Sequence, residues 1–172
     1  TQPRRLILGF MLAVGLLSMW LLNTSTTLMM LPVAMAVAAA IEPKGDGPFG
    51  AALMLGLAYG ASVGGMGTYL GTAPNGVFRG VAEGNGLSVD FGEWMSFATP
   101  LSILLIVLIW LYLTRLAFSV HDTPDDPEHP ANQLLTEELG PWSRAEKLVG
   151  LIFPSAVSAW IARRWITDAL GL

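Results

Sequence analysis

A cluster of five polar, uncharged residues lies inside an otherwise apolar stretch near the start of the chain. Asn23 to Thr27 separate one apolar run, Leu6 to Leu22, from another, Leu28 to Ile41, and no Gly, Asp or Lys marks a surface turn there. Each run is shorter than the roughly 20 residues that a helix needs to cross a hydrocarbon core. The pattern therefore predicts a re-entrant hairpin of two half-length helices, with the polar cluster at its tip inside the membrane.

The ends of the two half-helices give this tip its chemistry. Polar backbone at membrane depth is tolerated where protein buries it or where water and ligand reach it, so the tip is a candidate binding site. The second half-helix is expected to begin near Thr24, where free amides, the Asn23 amide and the Thr24 hydroxyl offer donors to an anion. The first is expected to end near Leu22, where unpaired carbonyl groups and the Asn23 side-chain oxygen can coordinate a small cation.

The composition places the chain in a lipid bilayer. Of its 172 residues 53% are hydrophobic and 13% are charged, and the mean hydropathy is +0.56. We therefore predict an all-α integral membrane protein, with a bacterial plasma membrane as its location. The net charge of −4 comes from acids in loops and at segment ends, so it indicates no nucleic acid partner. The sequence contains no Cys, which leaves no disulfide or thiolate chemistry.

A glycine-rich segment follows the hairpin and predicts a second interrupted helix. Gly56, Gly60 and Gly64 recur at four-residue spacing, which favours close packing against neighbouring helices. The segment closes on residues 71–75, Gly-Thr-Ala-Pro-Asn, where Pro removes a backbone donor and Gly destabilises a helix. The helix is therefore expected to unwind there and to expose carbonyl groups, as broken helices do at the ion sites of transporters.

The chain is predicted to divide into five parts along its length. They are the hairpin (1–41), the broken helix with a polar outer connection from residue 77 (42–94), a transmembrane helix (95–120), a polar cytoplasmic linker (121–147) and the start of the next transmembrane helix (148–172). Ser143 is expected to cap that last helix. A metal site from His121, Asp125, Glu128 and His129 is conceivable, but a solvated loop explains the same residues.

The basic residues predict the orientation. If the hairpin opens to the cytoplasm, six of them lie inside: Arg4, Arg5, Lys44, Arg115, Arg144 and Lys147. The outer connection then holds only Arg79, in agreement with the positive-inside rule. Arg163 and Arg164 would fall on the outer side and weaken this agreement.

Two long motifs resemble the divalent anion/sodium symporter family. Residues 20–32, WLLNTSTTLMMLP, are similar to the family's first hairpin, which carries a Ser-Asn-Thr signature. Residues 58–75, AYGASVGGMGTYLGTAPN, are similar to the segment that follows it, where the family usually has Gly-Thr-Pro-Pro-Asn. Residues 143–147 and the apolar run after them resemble the linker and the start of the second repeat. The resemblance covers nearly the whole chain.

This resemblance implies secondary active transport of a dicarboxylate, a tricarboxylate or sulfate, usually coupled to sodium, by an elevator-type homodimer without a cofactor. It implies that Asn23 and Thr24 contact a substrate carboxylate. The implied sodium ligands are Ser18, Leu22, Asn23 and Gly71, and the residues expected to support the break are Thr72, Pro74 and Asn75. The family has an inverted second repeat with its own hairpin, so the chain is expected to be an interior piece that supplies half of the substrate site.

Two positions depart from the family pattern. Leu22 stands where the signature has Ser, so one hydroxyl ligand is missing, although the Leu22 backbone carbonyl can still coordinate sodium. Ala73 replaces the first Pro of Pro-Pro, which softens the break without removing it.

Other functions stay open at the level of sequence. In a sodium-independent anion exchanger, Leu22 would mark a lost cation site. In a non-transporting membrane scaffold, residues 23–27 would be an ordinary turn between short helices. A membrane enzyme is not favoured, because both His residues lie in one loop and no acid lies inside a predicted span. Thr26 and Thr27 are expected to cap and pack, since hydroxyls in membrane helices commonly bond back to the preceding turn.

Overall fold

The computed structural model describes residues 2–45, 47–121 and 143–162. These residues form α-helices joined by short turns, and no strand occurs among them, which confirms the predicted all-α class. The helices are α1 (Pro3–Ser18), α2 (Asn23–Ile41), α3 (Pro48–Gly64), α4 (Ala73–Gly84), α5 (Phe91–Leu111) and α6 (Arg144–Ile161). A 3₁₀ turn at Gly65–Gly67 follows α3, and a π-helical turn at Tyr112–Ala117 follows α5. Residues 1–136 and 137–172 are separate compact units, and α6 belongs to the second.

Glycine allows α1 and α3 to pack closely. Three pairs mark the contact: Met11 with Gly56, Val14 with Gly60, and Gly15 with Gly64. Because the pairs advance in step along both helices, α1 and α3 run parallel. A Cβ on Gly60 would lie 2.7 Å from Val14 Cγ1 and 2.9 Å from the Met11 carbonyl oxygen, so the predicted packing role of Gly60 is confirmed.

Helix α5 runs antiparallel to α1 and closes the core. Trp110 Nε1 donates a hydrogen bond of 2.8 Å to the Arg4 carbonyl oxygen, which joins the end of α5 to the start of α1. At the opposite end, the rings of Trp20 and Phe91 have centroids 6.1 Å apart. The buried side chains between the helices include Ile7, Met11, Val14, Leu53, Leu57 and Ile106.

Among the described residues, three stretches are long and apolar enough to cross a membrane: Asn23–Ile41, Pro48–Gly67 and Phe91–Ala117. Many of their large apolar side chains face outward, and Phe97 is 72% exposed. Continuous apolar surface of this kind is typical of contact with lipid or with further protein. The structure supports the prediction of an integral membrane protein.

The predicted end of the first half-helix is wrong by one turn. Helix α1 ends at Ser18 rather than near Leu22, because the Trp20 and Leu21 amides both bond to the Leu17 carbonyl oxygen and form a turn. Helix α2 begins at Asn23, close to the predicted start, so residues 23–27 form its first turn and not a loop. The second arm therefore has 19 residues. The re-entrant depth of the hairpin stays a prediction.

The predicted polar connection from residue 77 contains a helix, since α4 covers residues 73–84. Pro74 lies in its first turn, where the fixed φ of proline favours a helix start. Helix α5 begins at Phe91, earlier than the predicted residue 95, because the Asp90 side chain accepts a 3.0 Å hydrogen bond from the Gly92 amide and caps it.

The predicted cap on the last helix is confirmed. Ser143 Oγ accepts a hydrogen bond of 3.2 Å from the Glu146 amide, and the Ser143 amide donates one of 2.7 Å to Glu146 Oε2. This reciprocal pair is a capping box at the start of α6. The rest of the predicted linker, the metal-site candidates Asp125, Glu128 and His129, and residues 163–172 lie outside the described residues.

Candidate functional site

A side-chain hydrogen bond closes the turn between α1 and α2. Ser18 Oγ donates to Asn23 Oδ1 at 2.7 Å. Ser18 is fully buried and Asn23 is half-buried. The bond ties the last residue of α1 to the first residue of α2, so the tip of the hairpin has a defined shape.

Helix α2 begins without a side-chain cap. The residue before it is Leu22, whose side chain has no acceptor and is 61% exposed. The first backbone bond of the helix runs from the Thr26 amide to the Leu22 carbonyl oxygen at 3.0 Å. In the described part of the chain, the amides of Asn23, Thr24 and Ser25 therefore keep no partner. Together with the positive end of the helix dipole, they form a site suited to a carboxylate.

The break in the second segment lies earlier than predicted. Helix α3 ends at Gly64, and the chain is a 3₁₀ turn at Gly65–Gly67 and then irregular to residue 72. Three Gly residues between 64 and 67 lower the helix propensity there. Thr72 is extended with φ −142° and precedes α4, so Pro74 and Asn75 belong to the first turn of that helix. A single Pro is sufficient to start α4 next to Ala73.

Side chains from α4 and α5 donate to the carbonyl groups that the break frees. Asn75 Nδ2 donates to the Thr68 carbonyl oxygen at 2.8 Å and to that of Gly65 at 3.3 Å. Helix α5 contributes three further donors: Ser102 Oγ to the Val63 oxygen at 2.6 Å, Trp94 Nε1 to the Met66 oxygen at 3.1 Å, and Thr99 Oγ1 to the Gly67 oxygen at 3.1 Å. The break is therefore held in one conformation.

The contacts of these three α5 residues with the break were not predicted from the sequence. Thr99 and Ser102 are three residues apart, which places two hydroxyls on one face of an otherwise apolar helix. That spacing was the available signal.

Thr68 connects the break to the hairpin. Its hydroxyl, which is fully buried, donates to the Met19 carbonyl oxygen at 2.5 Å. Thr68 Oγ1 also accepts hydrogen bonds from the Leu70 amide at 3.2 Å and the Gly71 amide at 3.1 Å. One side chain therefore positions both the turn after α1 and the approach to Gly71.

The tip and the break meet at Gly65 and Gly71. A Cβ on Gly65 would overlap Asn23 Oδ1, and a Cβ on Gly71 would lie 2.5 Å from the carbonyl oxygens of both Ser18 and Gly65. Within the described ranges, the carbonyl oxygens of Ser18 and Gly71 accept no hydrogen bond. Uncharged oxygens at a helix end and an unwound segment are the ligands with which transporters coordinate sodium.

The structure brings together most of the predicted site residues. Ser18, Asn23 and Gly71 converge, and Thr24 is exposed at the start of α2. The Leu22 side chain is 61% exposed, and its carbonyl oxygen accepts the Thr26 amide. The sodium-binding and substrate-binding roles of these residues stay predictions.

An aromatic group surrounds the outer side of the break. The Tyr69 ring packs edge-on against Phe91, with centroids 4.9 Å apart, and the Arg79 guanidinium lies 4.6 Å from the Tyr69 ring centroid. Arg79 Nε also pairs with Glu83 at 2.8 Å. Among the described residues, no three His, Cys, Asp or Glu side chains lie close enough to hold a metal ion.

The known proteins to which this chain is similar are transporters. The citrate transporter family matches the whole chain, residues 1–172. A sodium-dependent dicarboxylate transporter of Staphylococcus saprophyticus is 32% identical over 178 residues, which cover 96% of this chain and 34% of that protein. Another, of Staphylococcus aureus strain USA300, is 32% identical over 175 residues, or 94% of this chain and 33% of that protein. The chain spans about a third of the length of these relatives.

Proposed function

The chain belongs to the citrate transporter family, and we propose that the protein carries a dicarboxylate, a tricarboxylate or sulfate across the membrane by coupling its movement to sodium. Family membership confirms the prediction of an anion-transporter family. The bacterial relatives, which bear the name sodium-dependent dicarboxylate transporter, support a dicarboxylate as substrate and sodium as coupling ion. They also agree with the predicted location in a bacterial plasma membrane.

The observation that carries the proposal is the meeting of the hairpin tip with the break in the second segment. The uncapped start of α2 offers amide donors to a carboxylate, and the carbonyl oxygens of Ser18 and Gly71 offer ligands to a cation. Asn23 belongs to both the anion side and the cation side. Its backbone amide is one of the unpaired donors at the start of α2, and its Oδ1 lies against Gly65. Binding of the cation next to the anion lowers the cost of burying either charge.

The elevator movement and the homodimer belong to the same proposal. A dicarboxylate that binds the three backbone amides and the Thr24 hydroxyl through one carboxylate keeps its second carboxylate for another set of donors. We assign those donors to an inverted second half-site, so that this chain supplies one half. The side-chain bonds from Thr68, Thr99 and Ser102 support movement of the hairpin and the break as one body.

Uptake into proteoliposomes tests the proposal. The full-length protein is reconstituted, and uptake of labelled succinate, citrate and sulfate is measured with an inward sodium gradient and with potassium in its place. We expect the gradient to raise uptake of succinate or citrate by about tenfold, the change that about 1.4 kcal/mol of coupling free energy produces. No uptake of any of the three under either condition would overturn transport.

One observation favours a second function, sodium-independent exchange. Leu22 supplies no side-chain oxygen, because its side chain is aliphatic. An exchanger would take up labelled succinate against internal unlabelled succinate, at the same rate with and without sodium. A membrane scaffold would show neither kind of uptake.

A further inference from the structure

One buried hydroxyl in the hairpin has no hydrogen-bond partner. Thr26, on α2, is 0% exposed, and its Oγ1 is the single buried side-chain oxygen or nitrogen without a partner in the part of the chain that the structure describes. The other fully buried hydroxyls each donate a hydrogen bond: those of Ser18, Thr68, Ser102 and Thr114. Because an unpaired buried hydroxyl is costly, this exception requires an explanation.

Thr26 does not make the ordinary bond of a helical hydroxyl. Thr27 donates to the carbonyl oxygen four residues earlier, that of Asn23, at 2.8 Å, and Thr114 does the same to Trp110 at 2.7 Å. The corresponding oxygen for Thr26 is that of Leu22, which accepts only the Thr26 amide among the described donors. The expected bond to the preceding turn is therefore present for Thr27 and absent for Thr26.

Thr26 lies one helical turn from Asn23, on the cation side of the tip. Thr26 follows Asn23 by three residues, which places both side chains on one face of α2, one turn apart. The Cα–Cβ bond of a helical residue tilts toward the helix N-terminus, so the Thr26 side chain leans toward the tip. The side-chain oxygens of Ser18 and Asn23 lie at the tip, where a hydrogen bond joins them.

Burial restricts what can reach this hydroxyl. Since the chain itself already covers Thr26 completely, a side chain from elsewhere or a dicarboxylate cannot contact it without displacing the hairpin. Only an ion smaller than a water molecule, such as dehydrated sodium, can reach it without that displacement. The oxygens of Ser18, Asn23 and Gly71 at the tip are uncharged, which suits a monovalent cation rather than a divalent one.

We propose that Thr26 Oγ1 is a ligand of the coupling sodium ion and supplies the hydroxyl oxygen that Leu22 lacks. The assignment rests on the proposed function, because it requires sodium coupling. Thr26 then retains an otherwise unpaired hydroxyl in the core because the bound ion completes its contacts.

The test compares three variants of the full-length protein in proteoliposomes. The half-saturating sodium concentration for succinate uptake is measured, together with binding of labelled sodium. Thr26→Val, which keeps the shape and removes the oxygen, is expected to raise that concentration by about tenfold. Thr26→Ser keeps the oxygen and is expected to stay within about twofold of the wild type. Thr114→Val, another fully buried Thr in the π-helical turn after α5, is the matched control and is expected to leave sodium dependence unchanged.

A further variant tests the exchange of ligands directly. Leu22→Ser in the Thr26→Val background returns a hydroxyl to the tip and is expected to recover much of the sodium affinity. If the double variant stays as weak as Thr26→Val, Thr26 does not take the place of the missing Ser. If Thr26→Val folds poorly, the sodium-induced rise in melting temperature of Thr26→Ala gives the same comparison.

The outcomes separate this inference from the proposed function. Sodium-dependent uptake by the wild type with an unchanged sodium requirement in Thr26→Val would overturn the role of Thr26 and leave sodium coupling in place. Uptake by the wild type that ignores sodium would overturn sodium coupling and the role of Thr26 together.

Discussion

Thr68 shows how a single hydroxyl positions the candidate site. It donates to the Met19 carbonyl oxygen and accepts from the amides of Leu70 and Gly71, so removing it leaves three backbone groups without a partner. We expect Thr68→Val to lower the free energy of unfolding by about 3 kcal/mol, because each unpaired buried group costs about 1–3 kcal/mol. Thermal unfolding of the solubilised protein measures this.

Thr68→Ser is the control for that prediction. Because it keeps the hydroxyl and loses one methyl group, its melting temperature is expected to fall much less than that of Thr68→Val. Equal melting temperatures of Thr68→Val and the wild type would mean that the hydroxyl does not hold the break in place.

Leu22 leaves the start of α2 without a side-chain cap, which lowers the stability of the tip. Leu is a poor residue before a helix, and Ser in its place would cap α2 with a gain of about 1 kcal/mol. The uncapped amides of Asn23, Thr24 and Ser25 are left for another acceptor. A substrate carboxylate, as proposed above, would accept from these amides. The absence of a side-chain cap at Leu22 therefore leaves the anion site open.

At the scale of helices, the contact between α1 and α3 depends on glycine at particular positions. We expect Gly60→Ala to lower the melting temperature and transport together, because the new Cβ would lie 2.9 Å from the Met11 carbonyl oxygen, a backbone atom that cannot move aside alone. A destabilisation of about 1–3 kcal/mol is expected, measured by thermal unfolding.

Gly9→Ala is the matched control on α1, since nothing lies within 4 Å of a Cβ at that position. Ala favours a helix over Gly by roughly 0.5–1 kcal/mol, so this variant is expected to be neutral or slightly stabilised. A loss of stability in Gly9→Ala as large as that in Gly60→Ala would show that helix packing is not the cause.

The interruptions of the helices were predictable from sequence, and their boundaries were not. The polar cluster at Asn23 and the Gly and Pro residues around Gly71 are local signals, and each marked an interruption that the structure contains. The end of α1 at Ser18 depends on backbone bonds to Leu17, which no local pattern records. The α5 donors to the break depend on a contact between residues 28–39 positions apart in the chain.

At the scale of the whole molecule, the tip of the hairpin lies at one end of the bundle and Arg4 at the other. Arg4 Nε donates to the Val120 carbonyl oxygen at 2.6 Å, so the start of α1 and the end of the α5 segment meet there. Helix α1 has 16 residues, which is about 24 Å at about 1.5 Å per residue. A hydrocarbon core is about 30 Å thick. If Arg4 lies at the membrane surface, a tip reached by α1 is expected to lie within the membrane, as the proposed transport site requires.

Asn23 joins the anion side of the tip to the cation side in the proposed site. The most direct measurement is equilibrium binding of labelled sodium and labelled succinate to the purified full-length protein, in the wild type and in Asn23→Ala. We expect Asn23→Ala to weaken binding of both by about tenfold or more, because the cation loses Oδ1 as a ligand and the anion loses the neighbouring cation. Asn85→Ala, which alters an exposed Asn that bonds to the Val81 carbonyl oxygen, should change neither. Retention of wild-type affinity for either ligand in Asn23→Ala would contradict a shared site.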